Sequence, residues 1–291
     1  MFPFGALAQG FATFKQPTDT VIVTTPGQFK SAIANSKPLV VIVRGELKGT
    51  GIYYSTSNKL IRGLKGATIT GITLGLATVE NIKIQNLIFR YQVSDPCILV
   101  KYNSKNITVD HCEFYHDRLH GWDYWGKHIS ITRGSDMVTI SYCKFHDANL
   151  SVLIGGGDDA ANVQDDFGKL HVTMHHNYFY YISEREPSIV TGSLHMYNNY
   201  HLNNSGYSIG VRNSAQAIID GDVFYNCKRP ITTVFSGEIP GFVGENKTNY
   251  TNSGANQIST PALLWAAPYK FTIMSSTYIR AYIPSHTGAT L

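Results

Sequence analysis

At 291 residues, with 43% hydrophobic and 15% charged residues, the chain carries enough apolar matter for a large buried core, which excludes a disordered chain. A formal charge of +4 spread over scattered lysines and arginines excludes the basic arm of a nucleic-acid binder and leaves room for an anionic partner such as a carboxylated glycan. The 26 glycines and 18 tyrosines, beside many Val, Ile and Thr, favour strands and turns over helices.

Taken from the start, Met1-Phe2-Pro3-Phe4 has neither the basic start nor the long apolar core of a signal peptide, and no later run of about 18 apolar residues could span a membrane. Residues 26–34 read as a short helix that feeds a strand at Leu39-Val-Val-Ile-Val43 and caps the open end of a solenoid. The solenoid is signalled by a repeat, in the segments 81–89, 106–114, 137–145, 171–179, 193–201 and 216–224. Each has apolar second and fourth positions, a small or polar seventh position and usually an aromatic ninth.

Successive starts lie 25, 31, 34, 22 and 23 residues apart, which suits stacked coils and is too short for propeller blades. The expected fold is all-β: one right-handed parallel β-helix domain over 1–291, with coils about 39–241 and an irregular tail 242–291 packed outside. Stacked coils place Cys112 over Cys143 and Asn177 over Asn199, followed by Asp222. Four cysteines without a CxxC spacing read as structural, with a Cys112–Cys143 disulfide left open. Five sequons, at Asn106, Asn149, Asn203, Asn246 and Asn249, are compatible with secretion through a eukaryotic route. The acidic pairs Asp158-Asp159 and Asp165-Asp166 read either as glycosidase carboxylates or as a solvated loop.

Several stretches are similar to the pectate and pectin lyases. They include Gly66-Ala-Thr-Ile-Thr-Gly71, Val109-Asp-His-Cys112, Gly134-Ser-Asp-Met-Val-Thr-Ile-Ser141, Leu170-His-Val-Thr-Met-His-His-Asn177, Arg185-Glu-Pro187, His195-Met-Tyr-Asn-Asn199 and Val211-Arg-Asn-Ser-Ala-Gln216. The resemblance implies a secreted, monomeric polysaccharide lyase that removes the C5 proton of a uronic acid and expels the oxygen at C4. Such a site must neutralise the uronate carboxylate and the enolate-like charge that develops.

On this resemblance Arg185 is the catalytic arginine of the Arg-x-Pro motif, the other reading being a surface ion pair. Arg212 matches an arginine that holds substrate carboxylates. Asp95 matches a calcium ligand that pectin lyases retain, or is simply a turn aspartate before Pro96. Gly126 and Ser130 stand where pectate lyases carry two acidic calcium ligands, Leu150 where they carry a lysine and Val190 where they carry a second arginine. The expectation is therefore no metal site and no required cofactor, with reduced or absent calcium dependence. Arg118, in Asp117-Arg-Leu-His120, resembles the pectin-lyase arginine that replaces calcium, or is a solvated arginine. Trp122 and Trp125 in the same insertion would stack on sugar rings or serve as packing. The departures also allow a second class of function, a β-helix that binds an acidic glycan without cleaving it.

Overall fold

The structure, a computed structural model, describes residues 10–156, 159–262 and 266–291; Met1-Phe2-Pro3-Phe4 and Asp158 lie outside these. Every paired strand in it is parallel to its neighbours, apart from isolated bridges. One face is a 10-stranded sheet running from Thr20–Val23 to Phe242–Asn246. A second sheet supplies two further faces, joined through the long strand Thr68–Ala77, whose first half pairs with Ile88–Arg90 and whose second half pairs with Ile98–Lys101. Each coil thus contributes three short strands, and the chain is a parallel β-helix.

The repeat shows how the sequence makes a coil. Its second and fourth residues, such as Ile82 and Ile84 or Ile107 and Val109, are fully buried because alternate strand residues point inward. Its sixth residue turns the chain: Asn86, His111, Tyr142, His176 and Asn198 have φ of 56, 49, 50, 55 and 56°. This left-handed corner breaks the alternation, so the seventh residue points inward too. There the backbone N–H of Cys143 donates to Asn177 Oδ1 (2.9 Å), that of Asn177 to Asn199 Oδ1 (3.0 Å) and that of Asn199 to Asp222 Oδ1 (2.8 Å). Side-chain oxygens thus satisfy backbone donors that the corner strips of strand partners. The ninth residues stack: Phe89, Phe114, Phe145, Phe179, His201 and Phe224 succeed one another at centroid spacings of 5.2, 5.0, 4.8, 5.0 and 4.4 Å.

The cysteines are all free and buried, so Cys112 and Cys143 act as small core residues with no disulfide between them. Helix Pro26–Ala34 forms where expected. Thr25 Oγ1 accepts from the N–H of Gln28 (3.3 Å), Pro26 opens the helix, and Phe29 and Ile33 are buried over the first coil. The strands run on past the expected limit at 241, since Phe242–Asn246 and Asn249–Thr251 continue two of the faces. The remainder packs outside and contains an unforeseen helix, Ser276–His286, whose Ile279 and Ile283 cover Tyr178, Tyr200 and Val223. Its sequence carries Pro284 and only two buried apolar positions, too weak a periodicity to read as a helix.

Acidic residues after 158 have structural work. Asp159 caps helix Ala160–Asp166 by accepting from the N–H of Asn162 (3.0 Å), and Asp165 pairs with Arg133 (3.2 Å). Asp166 is buried and accepts from the N–H groups of Gly134 (2.7 Å) and Gly156 (2.9 Å). The described carboxylates of this turn are occupied in holding it shut, which overturns the glycosidase alternative for them.

Candidate active site

The turns that precede the face containing Ile98–Lys101, Ile129–Ile131, Val152–Ile154, Ser188–Val190 and Ile209–Arg212 bring most of the candidate residues to one edge. Register gives the floor of this face one uncharged column, beside a second that runs from Lys101 to Arg212. Leu99, Ser130, Leu153, Ser188 and Gly210 occupy equivalent outward positions on successive coils.

Below that floor the turns stay in step. The N–H of Cys97 donates to Lys127 O (3.0 Å), that of Ser151 to Glu184 O (3.1 Å) and that of Val152 to Arg185 O (2.7 Å). These bonds, with that from the N–H of His128 to Ser151 O (2.8 Å), set the Lys127–His128 turn against Ser151 and Ser151 against Arg185, while Leu150 pairs with Glu184.

Arg185 sits at φ 70° between strands Tyr178–Glu184 and Ser188–Val190 and is partly exposed. Its Nε is buried without a partner. Arg212 Nε and Glu238 Oε2, beside the pair that these two side chains form, are likewise buried without a partner among the described residues.

The acids beside Arg185 diverge. Glu186 points inward, where its Oε2 meets His201 Nδ1 at 3.0 Å; His201 Nε2 in turn meets Asp222 Oδ2 at 3.4 Å. Glu184 is partly buried; burial raises its pKa against the opposing pull of Arg185, Arg229 and Arg212. The surface-ion-pair alternative for Arg185 is not realised, since no carboxylate closes on it among the described residues.

The inward network has its own consequence. Burial works against a charge on His201, but its hydrogen bonds to Asp222 and Glu186 outweigh this and raise its pKa; burial raises that of Asp222. Both shifts mean that the fold holds protons more tightly than the unfolded chain. Their stabilisation is present in full below the unfolded values and is lost as pH rises through the folded ones. The melting temperature is expected to be higher at pH 6 than at pH 8, and an equal or higher value at pH 8 would mean that His201 is neutral in the fold.

The other candidates are placed unequally. Arg118 is exposed and crosses two coils, its Nη2 donating to Ser183 Oγ and Ser205 Oγ, both at 3.0 Å. Its charge meets no acid there, and Ser183 is two residues before Arg185. Arg212 is not the open fork expected. Its Nη1 donates to Glu238 Oε1 at 2.6 Å and its guanidinium lies 5.2 Å from the Phe235 ring, under the loop that closes this end of the groove. Trp122 is 49% exposed, whereas Trp125 spends its ring on the loop itself, against Tyr91 (5.3 Å), His116 (5.7 Å) and Tyr124 (4.6 Å). Asp95 is an exposed turn residue whose N–H donates to Val93 O (2.7 Å).

Lys127 was missed by sequence reading, and so was Arg229, which also stands at this edge before Pro230. Lys127 has no motif around it; only the coil register relates it to Arg185.

The donor set does not suit a hard divalent cation. A Cβ on Gly126 would lie 1.7 Å from Asp95 O, so the close approach of the two turns forbids any side chain at that position, an acid included. Ser130 offers a single hydroxyl on the floor, and Lys127 adds a positive charge. Among the described residues no three His, Cys, Asp or Glu side chains converge as a metal site needs.

With this geometry in hand, the comparisons with known proteins decide the family. The sequence profile of the family described as pectate lyase matches residues 8–290. The chain belongs to the pectate lyase family. It is 30% identical over 270 residues to pectate lyase B of Colletotrichum gloeosporioides, covering 91% of this chain and 80% of that one. To the probable pectate lyase B of Aspergillus terreus it is 31% identical over 295 residues, covering 99% and 89%. Among solved structures, a Bacillus pectate lyase in complex with trigalacturonate superposes with a TM-score of 0.86 at 23% identity, over 97% of this chain and 98% of that one. Pectate lyase II of Xanthomonas campestris superposes with a TM-score of 0.84, also at 23% identity, over 98% of each chain. Pectate lyases are carbon–oxygen lyases acting on polysaccharides, and this member of the family shares their β-helix.

Proposed function

We propose that this pectate lyase family member cleaves a polygalacturonate-like chain outside the cell by β-elimination, with Arg185 at the reacting carbon and without a need for calcium. The observation that carries the reading is the Arg185 side chain, without an acid partner among the described residues and with its Nε orphaned, at the edge of an uncharged column of that face.

The chemistry is set by what a uronate requires. The C5 proton is removed by Arg185, its bonding electrons form the C4=C5 double bond, and the C4–O bond breaks, the leaving oxygen taking up a proton from solvent. A guanidinium is ordinarily protonated, so the step needs an environment that stabilises its neutral form at the moment of transfer. Arg118, with its charge open, meets a neighbouring carboxylate or ester, and Trp122 offers a ring face for a sugar. Arg212, closed by Glu238, shapes the end of the groove and takes part in binding only if that pair opens. Asp95 holds the turn against which Gly126 packs, and Trp125 supports the loop that carries Trp122.

The test is a panel of polygalacturonate and methylated pectin, monitored by the ultraviolet absorbance of unsaturated ends, with and without chelator. Absorbance is expected to grow, and chelator is expected to leave most of the rate intact, because Gly126 and Ser130 replace the acids that would hold calcium. Activity abolished by chelator and restored by calcium alone would overturn the metal-free reading. Tight binding of these polymers with no unsaturated ends would leave a glycan-binding protein, as the substitutions at Leu150 and Val190 allow.

A further inference from the structure

We infer that Lys127 is a further substrate-binding residue of this site: its ammonium, two coils from Arg185 across the turn at Ser151, takes the uronate carboxylate from the side where no acid of the chain can hold a cation. The inference rests on the function proposed above and adds to it the group that neutralises the substrate's own charge.

Three observations carry it. First, turn hydrogen bonds from His128 N–H to Ser151 O (2.8 Å) and from Val152 N–H to Arg185 O (2.7 Å) set Lys127 and Arg185 two coils apart at one edge, roughly 10 Å at the usual strand spacing. That distance lets two long side chains converge on a single carboxylate. Secondly, Lys127 is only partly exposed, yet its ammonium has no hydrogen bond or ion pair among the described residues. Burial, and after it the charge of Arg185, lowers its pKa, with Asp123 pulling weakly the other way. A fold gains nothing from placing a half-desolvated ammonium in the field of a second cation, and an arriving anion removes the conflict. Thirdly, the two places beside Lys127 from which a carboxylate could have answered it are closed, Gly126 by the Asp95 backbone and Ser130 by its identity.

The chemical consequence is a fixed cation. An ammonium built into the chain neutralises the carboxylate beside the C5 proton and so makes that proton more acidic, the task otherwise given to a divalent ion.

Lys127→Met and Lys127→Arg test this, with binding of a galacturonate trimer measured by calorimetry and turnover measured separately. Lys127→Met is expected to weaken trimer binding by about tenfold to a hundredfold, the usual range for a lost charge-assisted contact. Lys127→Arg is expected to restore most of the affinity, with an unchanged melting temperature in both variants. Wild-type affinity in Lys127→Met would overturn the inference, and so would equal weakening in both variants together with a lower melting temperature, which would mean a packing role. Because binding is read directly, the outcome stands apart from whether the wild-type protein yields unsaturated ends.

Discussion

Arg185→Lys is expected to keep much of the affinity for polygalacturonate while turnover falls by roughly a hundredfold to a thousandfold, equivalent to about 3–4 kcal/mol of transition-state stabilisation. Lysine preserves the charge but not the planar fork. A point charge on a flexible stem cannot place a nitrogen at the C5 proton from the backbone position that Arg185 holds at φ 70°. Affinity that collapses with turnover would assign Arg185 to binding alone. Arg212→Lys is expected to behave differently, because Arg212 already faces Glu238 at 2.6 Å and a lysine can keep that pair. Its principal effect should be on substrate affinity, through the loop it holds.

Asn177→Leu is expected to destabilise the fold by about 2–4 kcal/mol, with activity per folded molecule preserved. Asn177 answers three groups in the core: its Oδ1 accepts from the N–H of Cys143 (2.9 Å), and its Nδ2 donates to Ile140 O (3.0 Å) and Asn199 Oδ1 (2.9 Å). Leucine fills the space and leaves the Cys143 donor buried and unpaired, a loss that no solvent can make good. Cys112→Ser should cost less, since the Cys112 thiol makes only long contacts, to Ile84 O (3.8 Å) and Asp110 O (3.5 Å). Thermal unfolding of both variants measures the difference, and unchanged melting for Asn177→Leu would contradict the ladder.

Much of the fold could be read from residue order because a solenoid repeats its own evidence. Six segments with the same apolar pattern specify one coil, and each coil need only find its neighbour, so Cys112 over Cys143 and Asn177 over Asn199 came from counting. The Arg185-Glu-Pro187 motif was legible for a different reason, since it is short and local. Counting failed where the repeat stops carrying information. The tail beyond 251 packs on the outside of the coils, and what makes Ser276–His286 a helix there is a tyrosine-lined surface made by other coils.

The site divides along the same line. By itself the sequence determined that Gly126, Ser130, Leu150 and Val190 carry no charge, and the resemblance made those positions matter. Which charges meet was decided by tertiary structure. Arg118 reaches Ser183 across 65 residues, Arg212 is closed by a glutamate 26 residues on, and Trp125 is claimed by rings from three segments. Lys127 and Arg185 come to one edge only because insertions of unequal length return the chain so that the turns at His128, Ser151 and Arg185 bond to one another. Those insertions differ in length from turn to turn, so the spacing that aligns the strands does not show in the order of the residues between them.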